Sequence, residues 1–432
     1  MRRPWFAIAW LGVLGSPLWL LPASKAVAAA EVSAAPARTA AITRRTPRMR
    51  PAVFERFAAV QRAAEGGDHA QALGMLESLS ADFDGGRTLN SYERANLYYF
   101  RGFIRDARGE REAAVLAYRQ VLTQQGLPLT MEVNTRYALA QLHLALGQWT
   151  QAADIFVTWF AISDDPSPEA HVLLARARHE QGRNRDALKE LDAAIAEARQ
   201  RHLAPQEDWY LLMRTAAYAD GDLKRTAVTL ETLARDFPRK EYLLQLAAIE
   251  AELNQPARRV AAMEAAWLAG WLVDAQELLG MADLYLAVGL PVRAAALLEQ
   301  EIAAGRIAET PANLALIATA WQQAREPALA IPRLEAAARL GNDAQLWIRL
   351  AGLQLDHEQP ASAAESARAA LALDGTAADG ARVLLGRALY EMGRLPEARE
   401  AFLLAQQEPA SQATAAQWLR FLDTEIARRE LL

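Results

Sequence analysis

The stretch EQPASAAESARAAL, residues 358–371, is rich in alanine and has no side chain suited to act as a nucleophile, metal ligand or cofactor anchor. Its first six residues are one of ten related hexads that recur every 33 to 42 residues, about 36 on average. Repeats of this length are typical of solenoids, in which each repeat is one supersecondary unit stacked on the next. The hexads are GDHAQA (67–72), GEREAA (109–114), GQWTQA (147–152), GRNRDA (182–187), GDLKRT (221–226), NQPARR (254–259), GLPVRA (289–294), REPALA (325–330), EQPASA (358–363) and GRLPEA (393–398).

Each hexad is predicted to contain the turn between two amphipathic helices. Twelve positions before its last residue there is usually a small residue, and two helices cross closely only where both crossing positions are small. Four positions after the last residue, a larger side chain is predicted to fill the space where the next unit stacks. The small residues are Gly102, Ala140, Ala175, Ala247, Ala282, Ala318, Ala351 and Gly386; the larger ones are Leu76, Tyr118, Phe156, Leu191, Leu230, Met263, Leu298, Leu334 and Phe402.

Four hexads carry a proline at the start of the predicted second helix: Pro256, Pro291, Pro327 and Pro360. Proline is tolerated in the first turn of a helix because its missing N–H would have no intrahelical partner there. Each alanine-rich stretch is therefore interpreted as structural.

This pattern resembles the tetratricopeptide (TPR) repeat, a helix-turn-helix unit of about 34 residues with small residues at its crossing. The resemblance implies an all-α fold, an α-solenoid wound as a right-handed superhelix of about ten TPR units over residues 53–410. Residues 411–432 are predicted to form a C-terminal capping helix, with Trp418, Leu419, Leu422 and Ile426 on one stripe. An open array needs such a cap to cover its last apolar face.

Two arginines break the pattern. Arg214 occupies the small position of the fifth first helix, and Arg259 the last hexad position of the sixth repeat. A buried unpaired guanidinium is costly, so each is expected either to reach an oxygen acceptor in a satisfied junction or to mark a splayed hinge or docking notch.

The N-terminal residues look like an export signal. Arg2 and Arg3 precede an apolar run, and Ala26-Val27-Ala28 forms a small-x-small cleavage pattern, so residues 1–28 are predicted to be a signal peptide and the chain periplasmic. The alternative is an uncleaved anchor in the inner membrane. Residues 29–52, rich in Pro, Ala and Arg, are predicted to be a disordered linker, either a solvated spacer or a weak contact for anionic lipid.

Composition argues against several chemistries. The chain has no cysteine, its net charge is −5, and its six histidines lack the spacing of a zinc motif. No arrangement of catalytic residues is evident in the spacing. The sequence therefore predicts no metal, no cofactor, no nucleic-acid partner and no enzymatic activity.

A narrower resemblance is carried by EDWYLLMRTAAYADGDL (207–223), DFPRKEYLLQLAAI (236–249) and AWQQAREPALAIPRLEAAARL (320–340). These strings, and residues 138–177, resemble periplasmic TPR proteins associated with TonB–ExbB–ExbD systems. The resemblance implies a protein scaffold accessory to TonB-dependent uptake of iron chelates or similar cargo. The alternative is a TPR scaffold for envelope assembly or polysaccharide secretion.

Stacked hairpins line a groove with their first helices, where extended peptides or partner helices bind. We call this surface the first-helix groove. Aromatic rings beside hydrogen-bonding groups are typical of peptide sites, and counting from the turns predicts groove residues in repeats two to five: Asn96, Tyr99, Phe103, Tyr137, Gln141, Arg176, His179, Leu211 and Tyr218.

Overall fold

The computed structural model describes residues 48–84, 88–373 and 380–430, and within these ranges the chain forms helices and no strand. The helices are α1 Pro51–Glu65, α2 His69–Asp84, α3 Ser91–Ala107, α4 Arg111–Leu122, α5 Leu129–Ala145, α6 Trp149–Phe160, α7 Pro168–Glu180, α8 Asn184–Gln200, α9 Glu207–Ala219, α10 Leu223–Asp236, α11 Lys240–Glu252, α12 Pro256–Leu268, α13 Ala275–Ala287, α14 Pro291–Ala303, α15 Pro311–Gln323, α16 Pro327–Gly341, α17 Ala344–Asp356, α18 Pro360–Ala372, α19 Ala381–Glu391, α20 Leu395–Ala405 and α21 Gln412–Glu430. Helices α1 to α20 form ten consecutive hairpins, units 1 to 10, and α21 packs on the last. The predicted all-α solenoid of ten helical hairpins is confirmed for the described residues.

The ten turns share one backbone geometry. Each hexad begins two residues after a first helix ends, and its first residue has a left-handed φ between +53° and +83°. In unit 2, the Gly109 N–H donates to the Asp106 carbonyl and the Glu110 N–H donates to the Arg105 carbonyl, and the same pair of bonds recurs at all ten turns. This is the Schellman motif, which satisfies the last carbonyls of the first helix. Every hairpin therefore reverses direction in the same way.

Glycine occupies the left-handed position in seven turns, where the absence of a Cβ makes this conformation cheap. Units 6, 8 and 9 place Asn254, Arg325 and Glu358 there instead, with φ of 53°, 62° and 58°. Asparagine tolerates the left-handed region, whereas arginine and glutamate adopt it at a cost. The turn geometry is thus imposed on these two residues by the packing of the hairpin.

The predicted close crossing is confirmed where it can be measured. A Cβ added to Gly386 would lie 2.6 Å from a ring carbon of Phe402, and one added to Gly102 would lie 3.0 Å from the ring of Tyr118. The larger side chains therefore pack within their own hairpin in these units, not between units as the sequence had suggested. Positions four apart on a helix share a face. The ring therefore lies on the same face of the second helix as the last residue of the hexad, and this face contacts the first helix.

Two elements close the ends of the array. At the C-terminal end, α21 buries Leu419 and Leu422 against α20, and its Trp418 ring stacks on Phe402 with centroids 5.5 Å apart. At the other end, α1 begins at Pro51, so the predicted boundary at residue 53 lies inside this helix. The predicted signal peptide, residues 29–47 of the predicted linker, and residues 431–432 lie outside the described residues.

The last residues of the predicted linker pack against α3. Arg50 donates its backbone N–H and Nε to one carboxylate oxygen of Glu93, at 3.0 and 2.9 Å, and Nη2 to the other. Burial alone would raise the pKa of the fully buried Glu93, but the hydrogen bonds from Arg50 and Asn90 outweigh it and the pKa lies below its ordinary value. This contact joins Arg50 to α3, immediately before the first hairpin begins at Pro51.

The two anomalous arginines are both solvated. Arg214 is half-buried and donates to the side-chain oxygen of Gln245 in unit 6, 2.5 Å away, so it forms one of the satisfied junctions considered above. Arg259 is exposed, and Val260, 6% exposed, is the residue buried beside it. The prediction that Arg259 sits at the crossing is therefore wrong, because α12 turns a different face toward its neighbours.

The crossing contact predicts an asymmetric response to adding one methyl group. Gly386→Ala should lower the free energy of unfolding by about 1–3 kcal/mol, because the Phe402 ring lies between this residue and Trp418. Gly352→Ala is the matched control, since no atom lies within 4 Å of its added Cβ, and it should raise stability by about 0.5–1 kcal/mol. Urea denaturation measures both, and equal effects would contradict the crossing.

The turn geometry predicts that Arg325→Gly and Glu358→Gly each raise the free energy of unfolding by about 1 kcal/mol, because glycine removes the penalty of the left-handed backbone. Gly221→Ala, at φ of +78°, should have the opposite sign and a similar size. The midpoints of urea unfolding provide the comparison. Loss of stability on Arg325→Gly would show that its side chain contributes more than its backbone costs.

Candidate partner-binding groove

One row of apolar side chains runs along the first helices of the array. Its members lie three positions before the crossing residue, and in units 2 to 7 they are half-buried rather than enclosed. The first units contribute rings and the later ones contribute aliphatic or small side chains: Phe57, Tyr99, Tyr137, Val172, Leu211, Leu244, Leu279, Ala315, Ile348 and Val383. The row keeps the same register in every unit, and we call it the apolar seam.

The two tyrosines of the predicted groove are held by their own hairpins. Tyr99 meets the edge of Tyr118 with ring centroids 5.6 Å apart, and Tyr137 contacts Phe156 and Trp159 at 5.9 and 5.2 Å. Burial raises the pKa of both hydroxyls. These rings therefore serve the core and the groove wall together.

Asn96 contributes little to an accessible surface. It is 8% exposed, and its Nδ2 donates to the Tyr92 carbonyl one turn earlier in α3, 2.8 Å away. Phe103 is half-buried against the core of units 1 and 2, and Gln141 is half-buried on α5. All three residues lie on first helices, and their burial depends on side-chain packing that the sequence does not specify.

The groove residues of units 4 and 5 are more accessible. Arg176 is exposed, Tyr218 is 54% exposed, and Leu211 is half-buried against the core of units 4 to 6. The Nδ1 of His179 lies 2.7 Å from the Oδ1 of Asn184, which ties the end of α7 to the start of α8. Arg176 and Tyr218 are thus the predicted residues best placed to meet a partner.

Sequence reasoning missed a set of carboxylates on the second helices. Each lies five residues after a hexad and pairs with the arginine at the fifth hexad position of the next unit: Asp192 with Arg225, Glu231 with Arg258, and Glu264 with Arg293. We call this set the carboxylate ladder. The regular spacing of an acid and the following arginine is visible in the sequence and could have revealed it.

In the later units, ring donors of the next first helix join the carboxylates. The Tyr285 hydroxyl donates to Glu264 at 3.0 Å, and the Trp321 Nε1 donates to Glu299 at 3.0 Å. Burial, with the hydrogen bond to Glu264, raises the pKa of Tyr285 to about 12. These junctions therefore join a carboxylate of one unit to donors of the next.

Within the described residues, no group of three or more His, Asp or Glu side chains could hold a metal ion. In the same part of the chain, no helix is both long and apolar enough to cross a bilayer.

No family model matches this chain, and no curated protein matches it by sequence. Solved structures with similar folds include the TPR2AB domain of yeast Sti1 in a pHSP90 complex, at 20% identity and a TM-score of 0.31, covering 59% of this chain and 98% of that one. A TPR protein from Parabacteroides merdae is 18% identical with a TM-score of 0.34, covering 67% and 93%. YrrB, described as a TPR protein with an unusual peptide-binding site, is 10% identical with a TM-score of 0.34, covering 44% and 90%. At these sequence identities and TM-scores, the functions of the neighbours say nothing about the function of this chain.

Because Tyr137 packs in its hairpin and Tyr218 is mostly exposed, alanine substitutions at the two positions should differ in their effect on stability. Tyr137→Ala should lower the free energy of unfolding by about 3 kcal/mol, because the lost ring packs on Phe156 and Trp159. Tyr218→Ala should change it by no more than about 0.5 kcal/mol, because that ring is mostly exposed. Thermal melts followed by circular dichroism distinguish them, and equal effects would mean that the two rings are similarly packed.

Proposed function

We propose that this protein is a non-enzymatic scaffold that binds protein partners along its first-helix groove. The observation that carries the proposal is the apolar seam, which keeps one register through ten units while staying half-buried over most of its length. A seam of this kind offers apolar area to an extended or helical segment without requiring the array to rearrange.

The flanking residues suggest how a partner is oriented. Arg176 and Tyr218 project beside the seam in units 4 and 5, where a guanidinium and a phenol provide a charge, a ring face and hydrogen-bonding groups. Such side chains dominate binding energy at protein interfaces. The groove is therefore proposed to recognise a segment with apolar anchors and at least one acidic group opposite Arg176.

The proposed setting is the periplasm, reached through a cleaved signal peptide over residues 1–28, or the inner membrane if that leader is retained as an anchor. The proposed partner is a TonB–ExbB–ExbD complex, so that the scaffold assists TonB-dependent uptake of iron chelates or similar cargo. This assignment is supported by the resemblance of residues 207–223, 236–249 and 320–340 to periplasmic TPR proteins of such systems. A scaffold for envelope assembly or polysaccharide secretion is the alternative.

The test is co-purification of the full chain with co-expressed TonB and ExbD. The variant Phe103→Ala/Arg176→Ala/Tyr218→Ala should lose capture, because truncating an interface anchor typically costs more than about 2 kcal/mol, roughly thirty-fold in affinity. It should also impair growth on a chelated iron source.

The matched control is Leu116→Ala/Val157→Ala, which truncates side chains 64% and 51% exposed on the second helices of units 2 and 3. It should retain capture and growth. Circular dichroism confirms that both variants fold. A folded groove variant that still captures TonB or ExbD would refute the groove as the binding surface, and no capture by the wild-type chain would refute the TonB assignment.

A further inference from the structure

One position in the repeat is polar in most units and has a defined partner. It lies three residues after the crossing residue, on the side of the first helix that faces the second helices. In six units its side chain is hydrogen-bonded to another side chain of the same or the preceding unit: Arg105 to Glu110, His143 to Gln148, Arg178 to Glu190, Tyr285 to Glu264, Trp321 to Glu299 and Gln354 to Ser366. These six units therefore show that a polar side chain at this position is normally hydrogen-bonded to another side chain.

Unit 6 departs from this rule. Its residue is Glu250, which is 1% exposed, and neither of its carboxylate oxygens accepts a hydrogen bond. The charge is opposed by the Nε of Arg258, 3.4 Å away. Burying a carboxylate without hydrogen-bond donors is costly, since water would otherwise supply several.

The carboxylate of the preceding unit is a second difference between unit 6 and units 7 and 8. In units 7 and 8 this position donates to the carboxylate of the preceding unit, Glu264 or Glu299. In unit 6 the equivalent carboxylate of the preceding unit is Glu231, so an acceptor occupies the place of a donor. Two carboxylates therefore line the same junction, with Arg258 pairing with both.

This junction is also open. A cleft of about 400 Å³ lies between α10, α11 and α12, and its charged lining residues are Glu231, Glu250, Arg258 and Arg235, the last of which pairs with Asp236. Its apolar walls are Ala234, Leu243, Leu246, Ala261, Ala262 and Ala265. Arg258 is 55% exposed and places its Nη2 2.6 Å from Glu231, itself 41% exposed, so its shorter contact is at the rim and not with the buried carboxylate.

We infer that this cleft binds the lysine side chain of a protein partner, with the ammonium donating to Glu250 and Glu231 in place of Arg258. An ammonium is a compact charge with three donors on a flexible four-carbon stem, and the alanine and leucine walls suit that stem. The Nε of Arg258 lies 3.4 Å from Glu250, and both carboxylate oxygens are left without a hydrogen bond. The site is separate from the first-helix groove and does not depend on the proposed function.

Ligand-observed saturation-transfer NMR on the full chain tests the site directly. The probe is N-acetyl-lysine methylamide, and N-acetyl-norleucine methylamide has a similar stem without the charge. The lysine probe should bind saturably, and both the norleucine probe and the Glu250→Gln variant should bind at least about ten-fold more weakly, because charge-assisted hydrogen bonds are lost. Equal binding of the lysine probe to wild type and Glu250→Gln, or no saturable binding to wild type, would overturn the inference.

A second experiment measures how removal of Arg258 changes the binding of the lysine probe and the stabilisation that the probe gives. Arg258→Ala removes the residue that occupies the cleft, so the lysine probe should bind it about ten-fold more tightly than it binds wild type. At 100 times its Kd, the probe should raise the melting temperature of this variant by about 2–4 °C. Arg293→Ala is the matched control one unit later, where Tyr285 still donates to Glu264. It should bind the probe no more tightly than wild type does, and at the same probe concentration its melting temperature should rise no more than that of wild type. An equal gain in probe affinity in both variants, or weaker binding to Arg258→Ala than to wild type, would contradict a lysine site at Glu250.

Discussion

The array depends on the close crossing of the two helices of a hairpin, at a position that is glycine or alanine in eight of the ten units. At Gly102 and Gly386 the facing ring occupies the space where a Cβ would be. Such a contact fixes the distance between the paired helices, and the left-handed turn fixes their direction. Stacking, the seam and the carboxylate ladder all follow from hairpins that share this geometry.

Much of the fold could be read from the sequence because these constraints are local. The hexads mark ten left-handed turns, and the four prolines begin α12, α14, α16 and α18. These features depend on backbone chemistry within a few residues, which a single repeat already displays. Aligning ten repeats then fixes the register.

The outcomes that the sequence did not predict depend on side-chain contacts, both between units and within them. Arg259 looks like a crossing residue from its place in the hexad, but α12 presents a different face to its neighbours. Arg50 lies in a stretch whose composition predicts a disordered linker, yet it is hydrogen-bonded to Glu93, more than forty residues later in the chain. Tyr99 and Tyr137 are predicted groove residues, and their rings also pack on Tyr118 and Phe156 within their own hairpins. Relative position across units depends on side-chain packing that the repeat pattern does not encode.

The left-handed residues have a consequence for an array pulled from its two ends. Units in a solenoid contact only their neighbours, so tension is carried in series and the weakest hairpin yields first. Turns that hold a side chain where glycine is preferred start from a higher energy, and units 8 and 9, with Arg325 and Glu358, lie side by side. Extension under load would therefore begin near the C-terminal third, while the glycine-turned units 2 to 5, which carry most of the predicted groove, would stay folded.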